Sequence, residues 1–150
     1  MGLAMGQNDN MKLKIKRLSD DAIFPYKAYD NDLGYDLFSN KALVISPGQW
    51  VLISTGIAVK FPYGYGAIIK DRSSVAYKKG LFVHAGVIDG DYIGEIKILM
   101  YNGGPLLQHI TKGEKIAQMV LTPVVQCDTL EVDILEETDR SDGGFGSTGE

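Results

Sequence analysis

Several side chains in this 150-residue chain have types and spacings that suit work on an anionic ligand. Asp89 lies in Gly-Val-Ile-Asp-Gly-Asp-Tyr, residues 86–92. A carboxylate in a Gly-bracketed hairpin can be held with one lone pair towards a water, which suits general-base work. The alternative is an Asx-type turn residue. Asp91 fits that role better, because Asp89 follows the apolar Val87-Ile88. Arg72, Ser73 and Ser74 are consecutive. They offer a planar guanidinium fork, two hydroxyls and, if 73–79 is helical, first-turn N–H groups, all donors to phosphate-type oxygens. Gln118, in Ala-Gln-Met, is a polar residue inside an apolar strand and needs a partner. That partner is either a ligand oxygen or a backbone group of the sheet. Near the end, Arg140 precedes Gly143-Gly144-Phe145-Gly146-Ser147-Thr148-Gly149. Phe145 between glycines has no core to join and is suited to stacking, while Ser147, Thr148 and neighbouring N–H groups can form an anion nest. The run has neither the Lys nor the strand-to-helix setting of a P-loop.

The elements that must position these residues read as short strands. Candidate strands lie at 12–16, 42–45, 50–60, 66–70, 94–101, 115–121 and 124–134, with turn signals roughly every 8–12 residues, as in a sandwich, jelly roll or barrel. In 94–101 the apolar Ile96, Ile98 and Met100 share one face. The segment 73–79 is a candidate helix, capped by Ser73 or Ser74 and ended by Gly80; a plain capped turn is the alternative. Residues 1–11 read as a disordered start or partial tag, 12–135 as one β domain, and 136–150 as a polar, Gly-rich arm. With so little apolar surface the arm either stays disordered or orders over a ligand.

Composition sets the bounds. Hydrophobic residues make up 45% and charged residues 23%, values of a globular rather than a disordered chain. No apolar run is long enough for a transmembrane helix, so no membrane partner is expected. The net charge of -4 and the lack of a basic patch beyond Lys12, Lys14, Lys16 and Arg17 argue against polymeric nucleic acid. A single cysteine, Cys127, forms no internal disulfide and makes a reducing compartment the default. His84 and His109 are isolated, and no metal cage is visible.

The segments AYDNDLGYDL (28–37), DRSSVAYKKG (71–80), GVIDGDYIGEIKILMYN (86–102), GEKIAQMVL (113–121) and RSDGGFGSTG (140–149) stand in this order. Together they resemble the five motifs of the trimeric dUTPase family, from about Ala28 to Gly149. The resemblance implies an all-β, jelly-roll-like barrel, a homotrimer with shared active sites, and a flexible C-terminal arm. It implies Mg-dependent hydrolysis of dUTP to dUMP and pyrophosphate, with magnesium held by substrate phosphates and water. A cytoplasmic location is expected, or a nuclear one in a eukaryotic or viral setting.

On this resemblance Asp89 activates the water, and Tyr92 packs on the deoxyribose, with ordinary strand packing as its alternative. Backbone groups at Gly86, Val87, Ile88 and near Lys97 read the uracil edge. Val83 or His84 faces the base, a choice the residues leave open. Arg72, Ser73, Ser74 and Gln118 bind phosphates, Asp36 holds Arg72 or a magnesium-bound water, and Asp30 and Asp32 are solvated loop charges. Arg140, Phe145, Gly146, Ser147 and Thr148 close over the substrate. Asp71 departs from the family pattern, which has a small residue or Pro before the Arg, and its direction is open. Ser141 likewise replaces a Gly. Two rivals remain: a dCTP deaminase of the same superfamily, for which Glu95 is an available acid/base, and a non-catalytic nucleotide sensor.

Overall fold

The structure, a computed structural model, describes residues 11–149; the expected disordered start lies outside these residues except for Met11. The strands are β1 (Lys14–Arg17), β2 (Tyr35–Phe38), β3 (Leu43–Ile45), β4 (Trp50–Lys60), β5 (Tyr65–Asp71), β6 (Leu81–His84), β7 (Val87–Ile88), β8 (Glu95–Asn102), β9 (Gln108–Ile110) and β10 (Lys115–Pro123). One helix, α1 (Ser73–Lys79), interrupts them. Two four-stranded antiparallel sheets, ordered β1-β4-β8-β6 and β2-β10-β5-β7, are joined by the ribbon β3-β9. This is the expected all-β, jelly-roll-like architecture.

Period-2 patterning builds the core. Ile96, Ile98 and Met100 of β8 are fully buried and meet Leu37, Ala67, Ile69 and Met119 of the other sheet, with Ile45 and Ile110 closing the end. Burying each large aliphatic side chain contributes about 1.5–3 kcal/mol. A register shift between Ser54 and Ala58 breaks the alternation in β4. There Gly56 has a φ of 71°, and its amide donates to Glu95 Oε1 at 3.0 Å, an oxygen that also accepts from the Ser54 hydroxyl. Glu95 thus staples the bulge.

The expected helix 73–79 is present, but its cap differs. The N-cap is Arg72 in extended conformation, with no side-chain cap bond. Ser73 and Ser74 are the first helical residues, so their hydroxyls are not spent on capping. Gly80 ends the helix in the left-handed region (φ 65°), its amide bonding to Ala76 O. The expected strand at 124–134 does not form: β10 ends at Pro123, and Val125, Leu130 and Ile134 beyond it are exposed. β-rich composition makes a strand only where an edge is available for pairing. Four strands escaped the pattern reading: β2, β6, β7 and β9, each of four residues or fewer.

Candidate active site

Arg72, Ser73, Ser74, Gln118 and Asp36 come together in one cleft of about 250 Å³. Asp36, buried on β2, is its centre. Its Oδ1 lies 3.0 Å from Arg72 Nε and its Oδ2 lies 3.0 Å from Lys115 Nζ. The Asp36 carboxylate, followed by Tyr26, holds the Lys115 ammonium above its ordinary pKa. Tyr26 is pinned in turn by a backbone bridge to Asp36 and by stacking on Phe38 at 5.4 Å. Ser73 and Ser74 are exposed at the start of α1, where first-turn amides have no intrahelical acceptor.

Gln118 lines the same cleft, and its Nε2 donates to the Asp71 carbonyl at 2.7 Å. The sheet contact that the sequence left open therefore exists. The amide group has a second N–H, and Gly34 makes room for the side chain on its oxygen side: a Cβ there would sit 2.3 Å from Gln118 Oε1. Asp71 turns away from the cleft lining, its Oδ1 accepting from the Val83 amide.

The hairpin stands apart. Its two arms do not pair with each other. Val87–Ile88 join β5 in one sheet, while Glu95–Asn102 join β4 and β6 in the other. Gly86 enters the turn at φ 92°, and a Cβ there would meet Ile69 O at 2.7 Å, so only Gly fits. Its own carbonyl accepts from the Ile69 amide at 2.7 Å. β7 is the outer strand of its sheet among the described residues, so its far edge has no neighbouring strand. Lys97 pairs with Ser54 on one side, and β6 reaches only as far as Leu99 on the other. Among the described residues, 95–98 thus have no strand partner on the β6 side, just as β7 has none on its far edge.

Asp89 at the tip is exposed and has no cation within salt-bridge distance among the described residues. Tyr92 is half-exposed. Its hydroxyl donates to Glu95 O at 2.9 Å, and its ring crosses Gly94, where a Cβ would clash at 2.5 Å. Val83 packs against the core, whereas His84 lies exposed and edge-on to Trp50 at 4.5 Å.

Asp89, Val87 and Ile88 line a second, largely apolar cleft of about 790 Å³ with Tyr63, Tyr65 and Ile68. It shares no lining residue with the Arg72 cleft. The tail joins neither: Arg140 Nε donates to Gly143 O at 2.7 Å, Phe145 is fully exposed, and neither Ser147 nor Thr148 lines a cleft. Gly146, at φ 90°, has open space where a Cβ would stand.

No group of three or more His, Cys, Asp and Glu side chains is gathered as a metal cage among the described residues. The one carboxylate in the heart of the Arg72 cleft, Asp36, is already matched by two cations. This donor set of cations, hydroxyls and an amide fits a divalent ion that arrives on polyphosphate oxygens. The sequence reading missed Lys115. Strict alternation along β10 gave no reason to place it beside Gln118.

Two antiparallel sheets that carry a cleft of two cations, two serine hydroxyls and an amide around Asp36, with an open backbone hairpin apart from it, suit a ligand that bears phosphate groups. The dUTPase family model matches residues 20–149. The deoxyuridine 5'-triphosphate nucleotidohydrolase of Hydrogenobaculum sp. is 48% identical over 142 residues, covering 93% of this chain and 99% of that protein. The enzyme of the same name from Clostridium tetani is 48% identical, covering 91% and 96%. A variant dUTPase of Staphylococcus bacteriophage 80alpha, solved with dUpNHpp, superposes with a TM-score of 0.86 at 29% identity over 93% of this chain and 99% of that one. A variant dUTPase from phage phi11, whose structure describes a structural Mg(II) ion, gives 0.78 at 27% over 84% and 99%. The chain belongs to the dUTPase family.

Proposed function

We propose that this chain is a dUTP diphosphatase that hydrolyses dUTP to dUMP and pyrophosphate, limiting uracil incorporation into DNA and supplying dUMP for thymidylate synthesis. The observation that carries the reading is the contrast between two acids of the hairpin. Glu95 is held by Ser54 and Gly56 at the β4 bulge, whereas Asp89 is exposed at the tip. A deaminase relying on Glu95 would have to break that staple. A hydrolase relying on Asp89 has its carboxylate ready.

Asp89 takes a proton from a water, whose oxygen attacks the α-phosphorus. The bond from that phosphorus to the bridging oxygen breaks in line, and pyrophosphate leaves with the electron pair. Arg72, the Ser73 and Ser74 hydroxyls and Gln118 hold the phosphate chain. Bound with the triphosphate, magnesium supplies positive charge against its oxygens. The two backbone arms read the uracil edge. Cytosine, with the opposite donor pattern, would leave buried groups unpaired. Tyr92 packs on the deoxyribose and leaves no room for a 2′-hydroxyl.

Three copies complete each site. One gives the Arg72 cleft, a second the hairpin, and a third the arm 136–150, whose Phe145 stacks on the base while Arg140, Gly146, Ser147 and Thr148 close over the phosphates. The separation of the two clefts within one chain supports this division. A freely diffusing nucleotide substrate and a lone cysteine suit a cytoplasmic site of action. Phosphorus NMR of the protein with magnesium and a mixture of dUTP, dCTP, dTTP and UTP tests the reaction. Pyrophosphate and dUMP from dUTP alone are expected. Consumption of dCTP would move the chain to the deaminase branch, and no turnover would leave a nucleotide sensor.

A further inference from the structure

Lys115 is a part of the phosphate cleft that the motif pattern does not assign. Between Lys115 and Ala117, β10 carries one extra residue against β2: Lys115 faces Phe38, whereas Ala117 already faces Leu37. In a regular strand, residues three apart point to opposite faces. The bulge undoes that alternation, and Lys115 and Gln118 line the same cleft. Bulges beside functional sites re-aim side chains in this way.

The charges show what the re-aiming accomplishes. Four charged side chains line the cleft: Asp32, Asp36, Arg72 and Lys115. Without Lys115, the Arg72 guanidinium would face two carboxylates, and the cleft would repel a triphosphate. With it, the lining is balanced, and Asp36 divides its two oxygens between Arg72 and Lys115 at 3.0 Å each. Asp32 is not within salt-bridge distance of either cation, and Asp36 offers each only one oxygen, so both keep N–H donors for phosphate oxygens. The cation lies 5.0 Å from the Tyr26 ring centroid, which keeps the long side chain beside Asp36 rather than in bulk solvent.

We propose that Lys115 is a positioning residue for the triphosphate, drawing one oxygen of Asp36 away so that Arg72 can engage the phosphate chain. The inference rests on dUTP being the substrate. Turnover by the wild type tests that reading, and the contrast between variants tests this one. The variants are Lys115→Gln and Lys115→Arg. The readouts are steady-state kinetics with dUTP and magnesium, and calorimetric binding of the imido analogue dUpNHpp and of dUMP. For Lys115→Gln, KM and the analogue Kd should rise about tenfold while kcat changes less than about threefold and dUMP binding holds. Lys115→Arg should restore both to within about threefold. Wild-type KM and analogue affinity in Lys115→Gln would overturn the proposal. So would an equal loss for dUMP, or an Arg variant as impaired as the Gln variant.

Discussion

The Arg72 cleft and the Asp89 hairpin are built in opposite ways. In the cleft the central charged and amide groups are already held: Asp36 by two cations, Gln118 by the Asp71 carbonyl, Lys115 by Asp36 beside Tyr26. At the hairpin the backbone is fixed by β5, but the Asp89 carboxylate is exposed, and the arm with Phe145 extends with local contacts only. Groups that bind charge are preorganised inside one chain and need no rearrangement when charge arrives. On the proposed reading, the groups that meet the reacting centre wait for surfaces supplied by other copies of the chain.

The sharpest way to break this contrast is Asp89→Asn. It should lower kcat by about 10³-fold while dUTP binding, read by calorimetry, stays near wild type; near-normal turnover would remove Asp89 as the base. Ending the chain after Arg140 should lower kcat/KM by about 10²-fold with no change in Tm, since the described arm residues are largely exposed and hydrogen-bond only to one another. A fall in Tm would show that the arm is structural. Asp36→Asn should act on both properties. It leaves Arg72 and Lys115 as adjacent cations without their shared partner, so denaturant unfolding should show a loss of about 1–3 kcal/mol and kcat/KM should fall about tenfold.

The smallest effect lies outside both regions, at Glu114. Partial burial raises its carboxyl, but bonds from Lys79 and Thr111 outweigh this and hold it below its ordinary value of 4.5. A depressed folded pKa contributes stability above the unfolded value and loses it as pH falls through the folded one. Glu114→Gln should therefore lower Tm slightly at neutral pH, and the gap to wild type should close below pH 4.5. A gap that widens in acid would contradict the assignment.

Where patterning was strong, the fold was legible. β4 and α1 fall at the expected limits, because β4 is a long Val- and Ile-rich run and Gly80 supplies the left-handed stop. The segment 124–134 looked equally strand-like, yet pairing depends on an available edge and not on composition. β2 was hidden because Tyr-Asp-Leu-Phe carries its carboxylate in mid-strand. At the site, Arg72, Ser73, Ser74, Gln118 and Asp36 could be gathered from the resemblance to the family's ordered motifs. Lys115 could not, because a bulge reverses the face on which a residue points and nothing in Glu-Lys-Ile-Ala-Gln announces one. Asp71 and Glu95, two acids within the motif segments, had open roles in the sequence. Their hydrogen bonds to Val83 N and Gly56 N give each a structural role.

The division of the site between copies is tested most directly by mixing two inactive variants, Arg72→Ala and Asp89→Asn, unfolding and refolding them together at equal amounts, and measuring dUTP turnover. If each site takes its Arg72 cleft from one copy and its Asp89 from another, random assembly restores about a quarter of the wild-type rate. No recovery above the two separate variants would mean that both halves belong to one chain.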